Sequence, residues 1–257
     1  MSIYRQTAAR AAKAPPMTQA ERKARVELAA AYRIFDMLGW DQLIFNHITA
    51  RVPGPEVRFL INPFGLHYSE ITASSLVLID LEGNALRDTK WPLNQAGFVI
   101  HSAIHGAIER AHCVMHTHTT TGMAVACLKD GLSPDNFYGA MLKGRVAYHD
   151  FEGITVEPGE RERLVRDIGD KPAVILRNHG LLAWGPNVPE AFLMLWTLQR
   201  ACDVQIAASA AGGLNPIRPE VFAQTVRDAG PSEQRTCEDV FAALQRQVDA
   251  RDPSYRD

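Results

Sequence analysis

The sequence predicts a single α/β domain, and two observations carry that expectation. Stretches whose apolar residues recur at helical spacing alternate with short β-branched runs bounded by Gly, Pro and Asn. A chain of 257 residues, 46% of them hydrophobic, can also bury a substantial core without disulfide or metal staples. No internal repeat or low-complexity linker divides the chain.

The elements follow in order. Thr18 is a candidate N-cap with Glu21 three residues on, and Val26, Ala29, Ala30, Ile34 and Met37 continue a helix to Gly39. Three β-like runs come next, "NHITARV", "VRFLINPFG" and "SLVLIDLEGNAL", the last with a hairpin turn at Glu82-Gly83-Asn84. The run "AGFVIHSAIHGAIERA" returns to helical spacing and leads into a strand, "HCVMHTH". Beyond it lie a helix stopped by Gly131, a strand "VAYHDFEG", and a short amphipathic helix closed by Gly169. The apolar run "PAVILRNHGLLAWG" is broken by Asn178-His179-Gly180, which reads as two strands meeting at a tight corner. A long helix spans Val188 to about Ala211, and one further helix is expected near "EDVFAALQRQVDA" in a peripheral tail. The organisation is therefore an N-terminal arm over 1–17, a domain over 18–211 and a C-terminal helical extension over 212–257.

Composition narrows the function. The 27 basic and 29 acidic residues nearly cancel, so no global field draws the protein to nucleic acid or an anionic membrane, and a small-molecule substrate is the expected partner. Cys113, Cys127, Cys202 and Cys237 are scattered with no C-x-x-C pair, as expected for reduced thiols in the cytoplasm. The basic, Ala-rich first 16 residues lack a signal-peptide core, and no run approaches the roughly 20 apolar residues that span a bilayer.

The stretch "CVMHTHTTTGMAV" carries the chemistry. On an extended backbone, side chains two apart share a face, so His116 and His118 offer two nitrogen donors side by side. His179, on the Gly-flanked corner, is the candidate third ligand. Three neutral imidazoles leave metal positions open, as in catalytic rather than structural sites.

These segments, in order "NHITARVPG", "FLINPFGLHYSEITASSL", "NQAGFVIHSAIH", "VMHTHT", "VAYHDFEG" and "LRNHGLLAWG", resemble the class II aldolase/adducin family from about Thr18 to about Ala211. The resemblance implies a three-layer α/β/α domain around a mostly antiparallel sheet, a homotetramer with sites at subunit interfaces, and one divalent ion per subunit on His116, His118 and His179. Zinc is the first expectation, with manganese or iron(II) as alternatives.

Two departures accompany the match. The family's phosphosugar aldolases carry Ser-Ser-Glu before the helix, the Glu serving as acid/base. Aligned through His101, that Glu falls on Gly97 and the serines on Gln95 and Ala96, while the phosphate-binding Thr-Gly falls on Phe64-Gly65. Asn46 still matches the substrate loop, but a phenyl ring cannot donate to a phosphate oxygen. The segments "NPFGL" and "NQAGF" are at home in the adducin-like branch. Animal adducins, however, add a long basic tail to a domain that replaces the metal histidines, and this chain has all three.

The expected function is a metal-dependent carbon–carbon lyase, cleaving by retro-aldol reaction or decarboxylation through a metal-bound enediolate. Its substrate would be a non-phosphorylated hydroxy or keto compound, aromatic if Phe64, Phe45 and Trp40 line its path. An Fe(II)-dependent oxygenase acting on an aromatic acid and a non-catalytic adducin-like interaction module are the alternatives. Candidate catalytic residues are His47, His149 (with Asp150 as relay) and Tyr138, and candidate substrate-binding residues are Asn46, Phe64, Gly65 and Gln95. His101 is expected to orient its helix, and His67, His105 and His112 to be structural.

Overall fold

A computed structural model describes residues 16–93, 95–153, 159–229 and 234–257, apart from the side chains at 95, 96 and 229. All but the last two residues of the expected 1–17 arm lie outside the described residues.

Seven strands form one sheet: β1 (His47–Arg51), β2 (Arg58–Ile61), β3 (Val77–Asp80), β4 (Cys113–Thr117), β5 (Val146–His149), β6 (Ala173–Leu176) and β7 (Gly180–Gly185). Their spatial order is β3-β2-β1-β4-β7-β6-β5. Every pair is antiparallel except β5 and β6, which run parallel because a helix crossover joins them. That crossover is α5 (Glu160–Ile168); the other helices are α1 (Gln19–Leu38), α2 (Gln95–Ala107), α3 (Thr120–Ala126), α4 (Phe137–Met141), α6 (Val188–Ala210), α7 (Pro219–Ala229) and α8 (Gln234–Arg251).

Strand alternation builds the layers. Ile48, Ala50, Met115, Ile175 and Ala183 face Leu28, Phe35, Phe192, Leu195 and Phe241 of α1, α6 and α8. The intervening residues Val114, Val174, Leu182 and Trp184 face Ile100 and Ile104 of α2 and Leu164 and Ile168 of α5. The same alternation turns His47 and Thr49 of β1, and His116 of β4, toward the α2 side, since Ile48 and Met115 point the other way.

Local chemistry sets the boundaries. The Thr18 hydroxyl accepts the Glu21 amide at 3.0 Å, and Gly39 ends α1 in the left-handed conformation at φ 71°. The expected hairpin after β3 is a tight turn with a single bridge, Ile79 to Ala85. Where one C-terminal helix is expected, two form. Phe241, Val248 and Tyr255 are seated in the main core, so this segment is packed against the domain rather than peripheral. The short α4 has no counterpart in the sequence expectation, because five residues hold too little periodicity to read.

Tyr32 ties α1 to the strands that carry the site. Its buried hydroxyl accepts the amides of Ile48 at 3.0 Å and Asn62 at 3.1 Å and donates to the Ile48 carbonyl. Burial also pushes its phenol pKa up, so it remains the neutral donor. Tyr32→Phe is expected to strand two buried amides and to lower unfolding stability by about 2 kcal/mol or more. Urea denaturation measures this, and an unchanged midpoint would show that neither amide depends on the hydroxyl.

Candidate metal centre

His116 lies at the end of β4 and His118 one residue beyond it, and the extended backbone brings their rings together with centroids 4.4 Å apart. The third ring comes from the β6–β7 corner. Asn178 takes the left-handed conformation at φ 57°, which its short polar side chain tolerates, and its backbone N–H donates to the Ala126 carbonyl. His179 is thereby placed 4.8 Å from the His116 ring and 4.9 Å from the His118 ring, centroid to centroid. One nitrogen from each of the three lies within 4.8 Å of the others.

Hydrogen bonds orient the first ring. His116 Nδ1 lies 2.8 Å from the Leu181 carbonyl, which only accepts, so Nδ1 carries the proton and Nε2 is a bare lone pair. That nitrogen faces His118 Nε2 at 2.6 Å. This is the arrangement of a metal-ligating histidine, its outer nitrogen fixed by a backbone acceptor. Burial is the main cause that lowers the pKa of all three, to about 4 for His179, and the neighbouring imidazoles push His116 and His179 down further. At neutral pH the group is therefore uncharged and rich in lone pairs, a donor set suited to a divalent cation.

The other sequence-predicted residues fall into three groups. His47 joins the centre directly: it pairs with His116 across β1 and β4, and the two rings lie 4.9 Å apart. Asn46 is buried behind it, donating to the Trp40 carbonyl at 2.7 Å and accepting the His118 amide at 3.1 Å, so its amide group anchors the loop before β1 to the His-x-His segment. His149 lies beside the corner, in a small cleft that also includes His179, Phe151 and Arg177.

Its partner differs from expectation. His149 Nδ1 donates to Asp167 of α5 at 2.8 Å, whereas Asp150 is turned to solvent and sits 3.5 Å from Arg177. Nε2 of His149 is buried with no hydrogen-bond partner among the described residues, 3.7 Å from a Glu160 carboxylate oxygen.

Phe64 faces Phe45 at 6.5 Å, and Gly65 (φ 106°) lies beside Trp91. Tyr138 packs on Trp196 at 5.5 Å and on Phe137 at 5.2 Å, and no contact within the described residues joins it to the histidines. The Gln95 side chain lies outside the described residues.

Thr49, His101, His105 and Asp167 were not read as site residues. Only the spacing of His101 and His105, four apart on one helix face, could have flagged them.

Six histidines, the buried His47, His101, His105 and His116 and the half-buried His118 and His179, have pKa values lowered chiefly by desolvation. An unfolded chain protonates them near pH 6.5, while the folded chain keeps His179 neutral to about 4 and His105 to about 3. Their contribution to stability is thus complete above pH 6.5 and is lost as pH falls toward those folded values. Each costs about 1.4 kcal/mol per pH unit across its window. Urea midpoints are expected to fall steeply from pH 7.5 to pH 5, and a flat profile would contradict the neutral cluster.

Three neutral imidazoles, His116 buried and His118 and His179 half-buried, at the ends of inner strands of a helix-flanked sheet define a candidate catalytic metal centre. The chain belongs to the family described as "Class II Aldolase and Adducin N-terminal domain", whose model matches residues 26–206. A crystal structure of an aldolase II superfamily protein from Pseudomonas syringae superposes with TM-score 0.89 at 46% identity, covering 93% of this chain and 97% of that one. L-fuculose 1-phosphate aldolase from Glaciozyma antarctica PI12 superposes with TM-score 0.81 at 30% identity, covering 95% and 97%. Alpha-adducin of Rattus norvegicus is 42% identical over 245 residues, 89% of this chain but 33% of the adducin. The expected three-layer architecture is thus that of the class II aldolase structures. No helix among the described residues is long and apolar enough to cross a membrane.

Proposed function

We propose that the protein is a divalent-metal-dependent carbon–carbon lyase acting on a non-phosphorylated hydroxy or keto substrate. The observation that carries this reading is the group of three neutral imidazoles with His116 locked in a ligand-competent tautomer. A divalent ion there, zinc first and manganese or iron(II) as alternatives, supplies Lewis-acid polarisation to adjacent substrate oxygens. The chain's own residues supply the proton chemistry. His47 lies against the centre, positioned to take a hydroxyl proton, and the His149–Asp167 pair lines the cleft on the His179 side. Among the described residues no carboxylate joins the three-histidine group, which favours this reading over an iron oxygenase, whose usual facial triad includes one.

The Phe45–Phe64 ring pair supports an apolar, including aromatic, substrate wall in place of a phosphate cradle. A homotetramer is proposed as the working assembly. Phe137, 71% exposed, and Leu43, 69% exposed, are apolar surface that a second copy could cover. Light scattering at the mass of four chains supports this, and a monomer contradicts it.

A second reading, cleavage of a sugar phosphate, is favoured by the likeness to the L-fuculose 1-phosphate aldolase of Glaciozyma antarctica. Fuculose 1-phosphate in a coupled assay separates the two. No turnover is expected, because Phe64 and Gly65 offer no hydroxyl to a phosphate oxygen. Efficient cleavage would replace the first reading with the second.

A further inference from the structure

Four side chains behind the metal centre form a hydrogen-bonded series whose polarity can be read from its far end. His105 Nδ1 lies 2.7 Å from the carbonyl of Ala111. A carbonyl only accepts, so Nδ1 of His105 carries the proton and its Nε2 is an acceptor. Thr49 Oγ1, 2.8 Å from that Nε2, donates its single proton there. The same oxygen is 2.7 Å from His101 Nδ1 and has only lone pairs left to offer it, so Nδ1 of His101 is protonated and its Nε2 bare. His47 Nδ1, 2.8 Å from that bare nitrogen, is consequently the donor, and His47 Nε2 carries no proton. With every ring neutral, reversing any one link reverses the rest and sets a bare His105 Nδ1 against the lone pairs of the Ala111 carbonyl. Burial, which keeps His47, His101 and His105 neutral, is consistent with this assignment.

Space is reserved for this ring as well. A Cβ at Gly97 would lie 2.7 Å from Cγ and Cδ2 of His47 and 3.1 Å from its Nε2. Residue 97 and the His47 imidazole compete for the same volume, so the glycine that removes a side chain from α2 is what admits the imidazole from β1.

We infer that Thr49, His101 and His105 are positioning residues that hold His47 beside the three-histidine centre with Nδ1 protonated and Nε2 bare, in space that Gly97 leaves open. The use of that bare nitrogen as a base rests on the lyase reading; the series itself does not. His101 and His105 therefore do more than orient their helix. Four residues apart on α2, they clasp Thr49, and through it the polarity of the neighbouring strand.

Long-range proton–nitrogen correlation spectra of protein labelled with nitrogen-15 histidine, at neutral pH and with or without one equivalent of zinc, test the inference. His47, His101 and His105 are expected as Nδ1-protonated tautomers in both samples. In Thr49→Val the link between His105 and His101 is cut, and His47 is expected to move to the Nε2-protonated form. Thr49→Ser restores the wild-type pattern, whereas a residue that merely fills space would leave His47 unchanged in all three. Gly97→Ala is expected to displace the His47 ring and erase its Nδ1-protonated signature.

An Nε2-protonated His47 in the wild-type spectrum overturns the inference whether or not any variant folds, and so does an unaltered His47 in folded Thr49→Val. Intact tautomers in a protein that takes up no zinc support the series and contradict the metal reading alone.

Discussion

His116→Ala, His118→Ala and His179→Ala are each expected to lose the proposed divalent ion while the fold persists. Loss of a mere outer hydrogen-bond partner already weakens metal affinity by about 10- to 100-fold, and removing one of three ligands should exceed that. Secondary structure should survive because His118 and His179 sit just past β4 and on the β6–β7 corner, where backbone contacts hold the chain. His116 is fully buried and donates to the Leu181 carbonyl, so its replacement also costs stability and leaves that acceptor with one partner fewer. Metal content and circular dichroism are to be measured on the same samples. A full equivalent of metal retained by any one variant would remove that residue from the centre.

Gly180→Ala is expected to cost as much without replacing a ligand. Its Cβ would run into the carbonyl oxygen of Thr117 and lie 3.1 Å from His118 Cδ2 and 3.2 Å from His116 Cε1. The first of these is a backbone atom between the two strand histidines and cannot swing aside, so the β4–β7 pairing itself has to yield. Overpacking of this kind costs about 1–3 kcal/mol or more, and here the displaced atoms belong to two metal ligands. The expected outcome is a lowered urea midpoint together with loss of the bound ion. A variant that keeps wild-type metal content would show that the corner relaxes without disturbing His116 or His118.

Much of this centre was legible in the sequence for physical reasons that can be named. Period-two alternation places His116 and His118 on one face wherever the backbone is extended, and an Asn-His-Gly break in a β-branched run can only be a corner. The helices announced themselves by apolar spacing and by caps such as Thr18 and Gly39.

What stayed hidden depends on packing between distant elements. His47 and His101 are 54 residues apart, and only the seating of α2 on β1 brings them within 2.8 Å. Asp150 is adjacent to His149 in sequence, yet the end of β5 turns it outward, and Asp167 arrives from α5, 18 residues on. Asn46 read as a substrate residue through its match to the family's substrate loop; the structure adds that its side-chain amide bonds the Trp40 carbonyl and the His118 backbone amide. Gly97 read as a missing carboxylate, and the structure adds what fills the space.

If the three histidines hold one divalent ion for non-redox cleavage of a carbon–carbon bond, catalysis needs no oxygen. The measurement that tests this most directly is product formation from a panel of hydroxy- and keto-acids, aromatic ones included, under argon, by protein stripped and reloaded with zinc, manganese or iron(II). Turnover is expected without oxygen and with zinc among the competent ions, since any of these can polarise a carbonyl. Product formed with iron alone, and only as oxygen is consumed in step, would contradict this.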